Sequence, residues 1–240
     1  MRPDTMATII DRLTARLAPL RFAPPVHSVY NPLTYAREAH LAYAARYAGE
    51  GREVLLLGMN PGPWGMAQTG IPFGDVEMVT RWLDIRAAVG QPARPHPKRP
   101  IEGFACRRGE VSGQRLWGWA KSRFGTPERF FGRFWVANYC PLVFMEESGR
   151  NRTPDKLPPA EREPLLAACD AALAETVALF KPRRVVGVGA FAAQQAAKAL
   201  AHLNLPVGRI AHPSPANPKA NAGWADLIEK ELAAMGVVLG

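Results

Sequence analysis

At 240 residues and 48% hydrophobic content, the chain is long enough to bury a substantial core. Thirty Lys and Arg against 21 Asp and Glu give a net charge of +9 and a pI near 9.9, which favours polyanionic partners, nucleic acid first. The three cysteines, Cys106, Cys140 and Cys169, are widely spaced and form no Cys-x-x-Cys pair, which argues against a structural zinc or a four-cysteine iron–sulfur cluster.

In chain order, Thr5 to Leu17 reads as a short helix, broken by Pro24-Pro25, and Pro32 to Tyr47 as a second helix with apolar spacing through Tyr35, Ala39 and Tyr43. Glu53 to Gly58 is a buried strand. A glycine- and proline-rich loop follows, and Asp75 caps a helix predicted to run to Val89 and close at Gly90. Gln91 to Phe104 is Pro-rich and basic, hence a surface loop, with Arg94, His96, Lys98 and Arg99 clustered in it and Arg107 and Arg108 close behind. Lys121, Arg123, Arg129 and Arg133 extend the basic region.

Gly113 to Phe124 reads as a helix, Phe134 to Ala137 as a strand ending at Asn138, and Glu147 to Pro159 as a polar loop. Then come a long helix from Ala160 to Phe180, a strand from Arg184 to Val188, a helix from Ala190 to Leu203, a strand from Val207 to Ala211 and a closing helix from Gly223 to Met235. Strands alternating with helices predict an α/β fold, a three-layer α/β/α sandwich around a mostly parallel four-stranded sheet. No repeat or boundary interrupts the pattern, so residues 1–240 read as one domain, expected to be monomeric. No apolar run approaches the roughly 20 residues of a membrane span, and Asp11 and Arg12 interrupt any signal-peptide pattern, so a soluble cytoplasmic protein is expected.

Gly187-Val-Gly-Ala-Phe-Ala192 matches a loose dinucleotide fingerprint. The acidic residue that should follow about twenty positions later is missing, because that region is Gly208-Arg209-Ile210. Close helix–strand packing accounts for these glycines better, and no cofactor is expected.

Two segments carry most of the functional information: Gly58-Met-Asn-Pro-Gly-Pro-Trp-Gly-Met-Ala-Gln-Thr-Gly-Ile-Pro-Phe-Gly74 and His212-Pro-Ser-Pro-Ala-Asn-Pro-Lys-Ala-Asn221. Each follows a β-branched or aliphatic strand and leads into a helix. Ligands of open α/β sheets sit at the carboxyl ends of strands, so Asn60 and His212 should project into one crevice. Either segment alone could be a rigid turn, since Pro and Gly are ordinary turn formers.

With Asn138-Tyr-Cys-Pro-Leu142 and Glu110-Val-Ser-Gly-Gln-Arg-Leu-Trp-Gly118, these segments closely resemble the single-strand-selective monofunctional uracil-DNA glycosylase family, from about Ser28 to the C-terminus. The resemblance implies a glycosylase that hydrolyses the N-glycosidic bond of uracil in single- and double-stranded DNA and leaves an abasic site without lyase activity. It implies Asn60 and His212 as catalytic residues. Phe73 would stack on the extruded base, Asn138 would read its edge, and Gly62 and Met66 would border C5, which extends the substrates to 5-hydroxymethyluracil. Pro213, Ser214, Pro215, Ala216, Asn217 and Lys219 would press on DNA.

The chemistry suits these residue types. Cleavage passes through an oxocarbenium-like sugar, but uracil departs as a delocalised anion and needs less help than an alcohol. An amide that orients water and a donor for the leaving oxygen can serve, and His212 can donate even as a neutral imidazole. A fixed Asn138 that accepts from N3–H and donates to O4 rejects cytosine, which presents the opposite order. A base inside a duplex must be extruded, and a loop stiffened by three prolines suits that task.

Other readings stay open at this stage. Phe73 could be a core anchor, His212 a structural histidine and Asn138 a turn residue. The main activity could instead be on deaminated purines, xanthine or hypoxanthine. The protein could instead bind damaged or single-stranded DNA without catalysis, or hydrolyse small nucleotides. Two positions depart from the common family pattern: Ala216 stands where Arg is frequent, and Trp64 where Phe is frequent. Lys219 is the only lysine in either motif, and beside DNA it is more simply a phosphate contact than a lyase nucleophile.

Overall fold

The structure is a computed structural model that describes residues 5–239; residues 1–4 and 240 lie outside the described residues. Its centre is a four-stranded parallel sheet in the order β3 (Phe134–Asn138), β2 (Val54–Gly58), β6 (Arg184–Val188), β7 (Val207–Ile210). Every residue of β2 is buried. Alternate residues of a strand face opposite sides, so both faces of the sheet must be covered.

Adjacent aromatics on β3 make the two coverings explicit. Phe134 meets Trp119 and Phe124 of α6 (Val111–Phe124) and stacks on Phe130 of α7 (Pro127–Phe131) at 5.1 Å. Trp135, on the other face, stacks at 4.5 Å on Tyr43 of α3 (Arg37–Tyr47) and at 4.8 Å on Phe180 of α8 (Pro159–Phe180). The predicted three-layer sandwich is present.

The long helix α8 buries Leu165, Ala168, Cys169, Ala172, Leu173, Thr176, Val177 and Phe180, the three-and-four spacing of one helical face. Against it packs α1 (Met6–Leu17), which buries Ile9, Ile10, Leu13 and Leu17 and starts in a capping box between Thr5 and Thr8. Helix α9 (Ala190–Ala199) lies against β6 and β7, and α11 (Trp224–Ala234) against β7 and α6.

Three expectations need correction. The helix predicted over residues 32–47 is two helices, α2 (Pro32–Tyr35) and α3, because the Tyr35 carbonyl accepts the Gly90 N–H and Ala36 leaves helical geometry. The helix opened by Asp75, α5 (Val76–Arg81), stops eight residues early. Tyr47 Oη donates to the Leu83 carbonyl and Arg46 to that of Asp84, and Leu83 and Ile85 turn into the core.

The third correction is a second sheet of antiparallel strands, β1 (Val26–Tyr30), β4 (Val143–Glu146) and β5 (Asn151–Arg152), in the order β1-β4-β5. Part of the loop predicted over residues 147–159 is therefore β5 and a short 3₁₀ turn, Pro154–Lys156.

The Pro-rich basic segment is a surface loop, as expected, and is tied down from inside. His96 is buried and its Nε2 bonds the Glu146 carbonyl, while Tyr30 Oη accepts from His96 N–H and donates to the Arg99 carbonyl. On α4 (Met66–Thr69), the fully buried Gln68 donates to the carbonyls of Pro63 and Pro100 and accepts from the N–H groups of Glu102 and Gly103. One side chain thus joins the first motif loop to the basic loop.

Gly187 has the packing role expected of it. A Cβ there would collide with the backbone nitrogen of Ala193 on α9 and come within 2.7 Å of its Cβ. Gly187→Ala is therefore expected to lower stability by about 1–3 kcal/mol through overpacking. Urea unfolding checks this, and an unchanged midpoint would show that α9 moves away freely.

Candidate functional site

All four parallel strands end at one edge of the sheet, and a cleft of about 380 Å³ opens there. It is lined by Asn60, Gly62 and Met66 from the segment after β2, Phe73 farther along that segment, Asn138 at the end of β3, and His212 and Ser214 after β7. Residues 150 positions apart in sequence thus share one wall.

The floor is set by an absence. Gly58, the last residue of β2, pairs in register with Asn138. A Cβ on Gly58 would collide with Asn138 Oδ1 and sit 2.8 Å from the Phe73 ring carbons Cε2 and Cζ. The side-chain-free position leaves room at the strand end for both amide and ring. Phe73 itself has φ 54°, a left-handed conformation that costs a non-glycine residue about 1–3 kcal/mol. Its carbonyl is held there by Trp117 Nε1–H at 3.0 Å and Asp75 N–H at 2.8 Å, and a side chain on Gly113 would strike that carbonyl.

Asn60 is oriented by its backbone surroundings. Its Nδ2 donates to the Leu142 carbonyl at 3.0 Å and the Pro61 carbonyl at 3.3 Å. Both protons are committed, and among the described residues Oδ1 receives no bond, so the amide offers its carbonyl. Asn138 Nδ2 donates one proton to Met66 Sδ at 3.3 Å, which leaves its second proton and its carbonyl for a ligand.

For His212 the geometry decides the tautomer. Ser214 N–H donates to Nδ1 at 3.0 Å, so Nδ1 is an acceptor and the ring proton sits on Nε2. Burial lowers its pKa below the ordinary 6.5, so the ring is neutral at pH 7 with Nε2–H as its donor.

The loop that carries His212 is braced from inside. Asn217 Nδ2 donates to the His212 carbonyl at 2.9 Å, and its Oδ1 caps α10 (Pro218–Asn221). Arg115 donates to the Pro213 carbonyl at 2.8 Å and to Asn221 Oδ1 at 2.9 Å, and Asn221 Nδ2 donates to the Pro215 carbonyl. Of the six loop residues expected to press on DNA, Pro215, Ala216 and Lys219 are exposed and Ser214 half-buried. Pro213 is buried, and Asn217 is half-buried with its amide bonded within the loop.

The cleft also contains residues that the sequence reading did not single out: Glu110, Ser112, Asn151 and Thr153. Glu110 opens α6 and accepts the Ser112 N–H, and its backbone N–H donates to the buried Asp75. Burial raises its carboxyl pKa. Its Oε2 would lie 3.3 Å from a Cβ on Gly62, and its Cγ 3.0 Å from one on Gly65. The Glu110–Gly118 segment was the signal for it. Asn151 and Thr153 arrive through β5, which the sequence hid. Among the described residues, no group of three or more His, Cys, Asp or Glu is arranged to hold a metal ion.

The family model of the uracil DNA glycosylase superfamily matches residues 46–232. The rat protein named single-strand selective monofunctional uracil-DNA glycosylase is 49% identical over 229 residues, covering 95% of this chain and 82% of its own length. The mouse protein of that name is 48% identical with the same coverage. This chain belongs to that family, within the uracil-DNA glycosylase superfamily. The crystal structure of wild-type Pedobacter heparinus SMUG2 shares the fold, with a TM-score of 0.66 at 19% identity over 95% of this chain and 97% of the other. The family match contains the cleft residues from Met59 to His212 and Ser214, so the geometry described above lies inside the shared region.

The His212 assignment has a direct spectroscopic check. A group whose folded pKa is lowered stays neutral as pH falls past 6.5 and protonates only below it, when the bond from Ser214 N–H must break. An NMR titration should give a midpoint below 6.5 and nitrogen shifts of the Nε2–H tautomer at pH 7. A midpoint at or above 6.5 would contradict the buried, neutral ring.

Proposed function

We propose that this protein is a monofunctional glycosylase that releases uracil from DNA by water attack and leaves an abasic site for base-excision repair. The observation that carries the proposal is the convergence of Asn60, Phe73, Asn138 and His212 on one cleft, with their polar atoms committed as that reaction needs. Family membership supports it.

The extruded base lies on the Phe73 ring. The Asn138 carbonyl accepts from uracil N3–H, and the free Nδ2 proton donates to O4. Asn60 Oδ1 accepts one proton of a water molecule and points its oxygen at C1′ as the C1′–N1 bond lengthens. Electrons of that bond pass to the uracil ring, and His212 Nε2–H stabilises the charge gathering on O2. Water adds to the oxocarbenium carbon and releases its proton to solvent. A preorganised donor of this kind contributes about 3–4 kcal/mol to the barrier, and a neutral ring gives no proton away in doing so. No amine nucleophile is involved, which leaves the product an intact abasic site.

Met66 shares the Asn138 amide, so it borders the O4 side of the base; Gly65 and Gly62 continue that wall toward Glu110. The family resemblance at Gly62 and Met66 supports acceptance of a 5-substituent, 5-hydroxymethyluracil in particular, beside the Glu110 side chain. At the mouth, Pro215 and Ala216 form the exposed tip that presses on the base stack, and Lys219 contacts phosphate. The net charge of +9 supports DNA as the partner.

Incubation with a uracil-containing oligonucleotide, followed by alkaline cleavage, tests the reading. We expect strand cleavage only after alkali, and loss of about two or more orders of magnitude in single-turnover rate for Asn60→Ala with little change in DNA affinity. Oligonucleotide bound but not cleaved would make the protein a binder; cleavage only at xanthine or hypoxanthine would assign it to deaminated purines. An Asn60→Ala rate within about threefold of wild type would remove that residue from the chemical step.

A further inference from the structure

Beside the cleft, Trp64 carries two cations. It lies between the lining residues Gly62 and Gly65, half-buried, with the Arg99 guanidinium carbon 5.2 Å and that of Arg108 4.4 Å from its ring centroid. Both arginines come from the basic segment, and neither has a carboxylate partner among the described residues; Arg99 Nη1 donates only to the Lys98 carbonyl. Two like charges gathered on one aromatic ring repel each other, and the ring quadrupole offsets only part of that. A bound anion lowers that repulsion.

The gathering is built, not incidental. Gln68 bonds the carbonyls of Pro63 and Pro100, the residues adjoining Trp64 and Arg99. Tyr30 Oη holds the Arg99 carbonyl, and a Cβ on Gly149, in the β4–β5 turn, would lie 3.1 Å from the Arg99 guanidinium carbon. The Arg99 side chain is therefore seated against that turn, while Arg108, two residues before the cleft residue Glu110, stays exposed.

We propose that Trp64, Arg99 and Arg108 form a phosphodiester-binding rim that grips the DNA backbone next to the nucleotide in the cleft. This rests on the reading of the cleft as a nucleotide site and adds to it a specific backbone contact. Arginine suits the role because its planar fork matches phosphate oxygens, and its stacking on Trp64 fixes the fork in advance.

The test measures affinity for a single-stranded oligonucleotide without uracil, across a range of salt concentrations. Wild type is compared with Arg99→Gln, Arg108→Gln and Trp64→Ala. Arg183→Gln serves as the charge-matched control, because Arg183 is exposed and precedes β6 at the opposite end of the sheet. Each rim arginine removed should lower the slope of log Kd against log salt by about 0.7, the value for one phosphate contact on a single strand. The control should keep the wild-type slope, and Trp64→Ala should weaken binding at least as much as either arginine variant.

Rim variants with the slope of Arg183→Gln would overturn the proposal, as would wild-type affinity in Trp64→Ala. Uracil release by the wild-type protein is scored separately. Lowered slopes without release would keep the rim and overturn the glycosylase reading; release with unchanged slopes would do the reverse.

Discussion

The site depends on one place where a side chain is missing. Gly58 ends the most deeply buried strand, and the volume its Cβ would fill is taken by Asn138 Oδ1 and the Phe73 ring. Parallel register puts Asn138 beside it. From that strand end outward the arrangement follows. The Asn138 amide and the Phe73 ring both border the end of β2.

Fixing them has a cost that the surrounding structure offsets. Phe73 holds a left-handed conformation, and hydrogen bonds from Trp117 and Asp75 to its carbonyl contribute about 1 kcal/mol each in return. Trp117 is fully buried among Trp82, Phe130 and Phe131, so the indole cannot turn away. The same pattern recurs at the other wall. The loop after β7 has no regular structure until α10, yet Arg115, Asn217, Asn221 and Ser214 tie it to itself and to α6. Donors and acceptors that are already placed need no reorganisation when charge develops on a leaving group, which is the principal way such a site accelerates bond cleavage.

Much of this was legible in the sequence. Buried aliphatic runs located β2 and β6, the β-branched Val207 and Ile210 located β7, and the turn-forming residues after β2 and β7 marked the strand ends where ligands bind. Asn60, Gly62, Met66, Phe73, Asn138, His212 and Ser214 do share one cleft. The second sheet was not legible: Val26–Tyr30 and Val143–Glu146 are short, lie within two residues of a proline, and neither reads as an element until each finds the other. With that sheet went Asn151 and Thr153, and the reason Asn60 points as it does, since the Leu142 carbonyl it bonds immediately precedes β4. Gln68 gave no signal either. A buried glutamine is recognisable only from the four backbone groups it satisfies, and those lie 5 to 35 residues away. Composition located the basic segment as a surface loop but gave no sign that His96 and Tyr30 bind it to the second sheet.

The central claim is that the side-chain-free Gly58, with Asn138 and Phe73 beside it, sets the geometry of base recognition, and Gly58→Ala tests it most directly. One added methyl must push the amide or the ring aside while leaving every polar group in the cleft present. In protein shown to be folded by circular dichroism and cooperative urea unfolding, single-turnover release of uracil should fall about 100-fold or more, equivalent to roughly 2.7 kcal/mol of barrier. Release within about threefold of wild type would contradict the account, because the floor would then tolerate the displacement it is held to forbid.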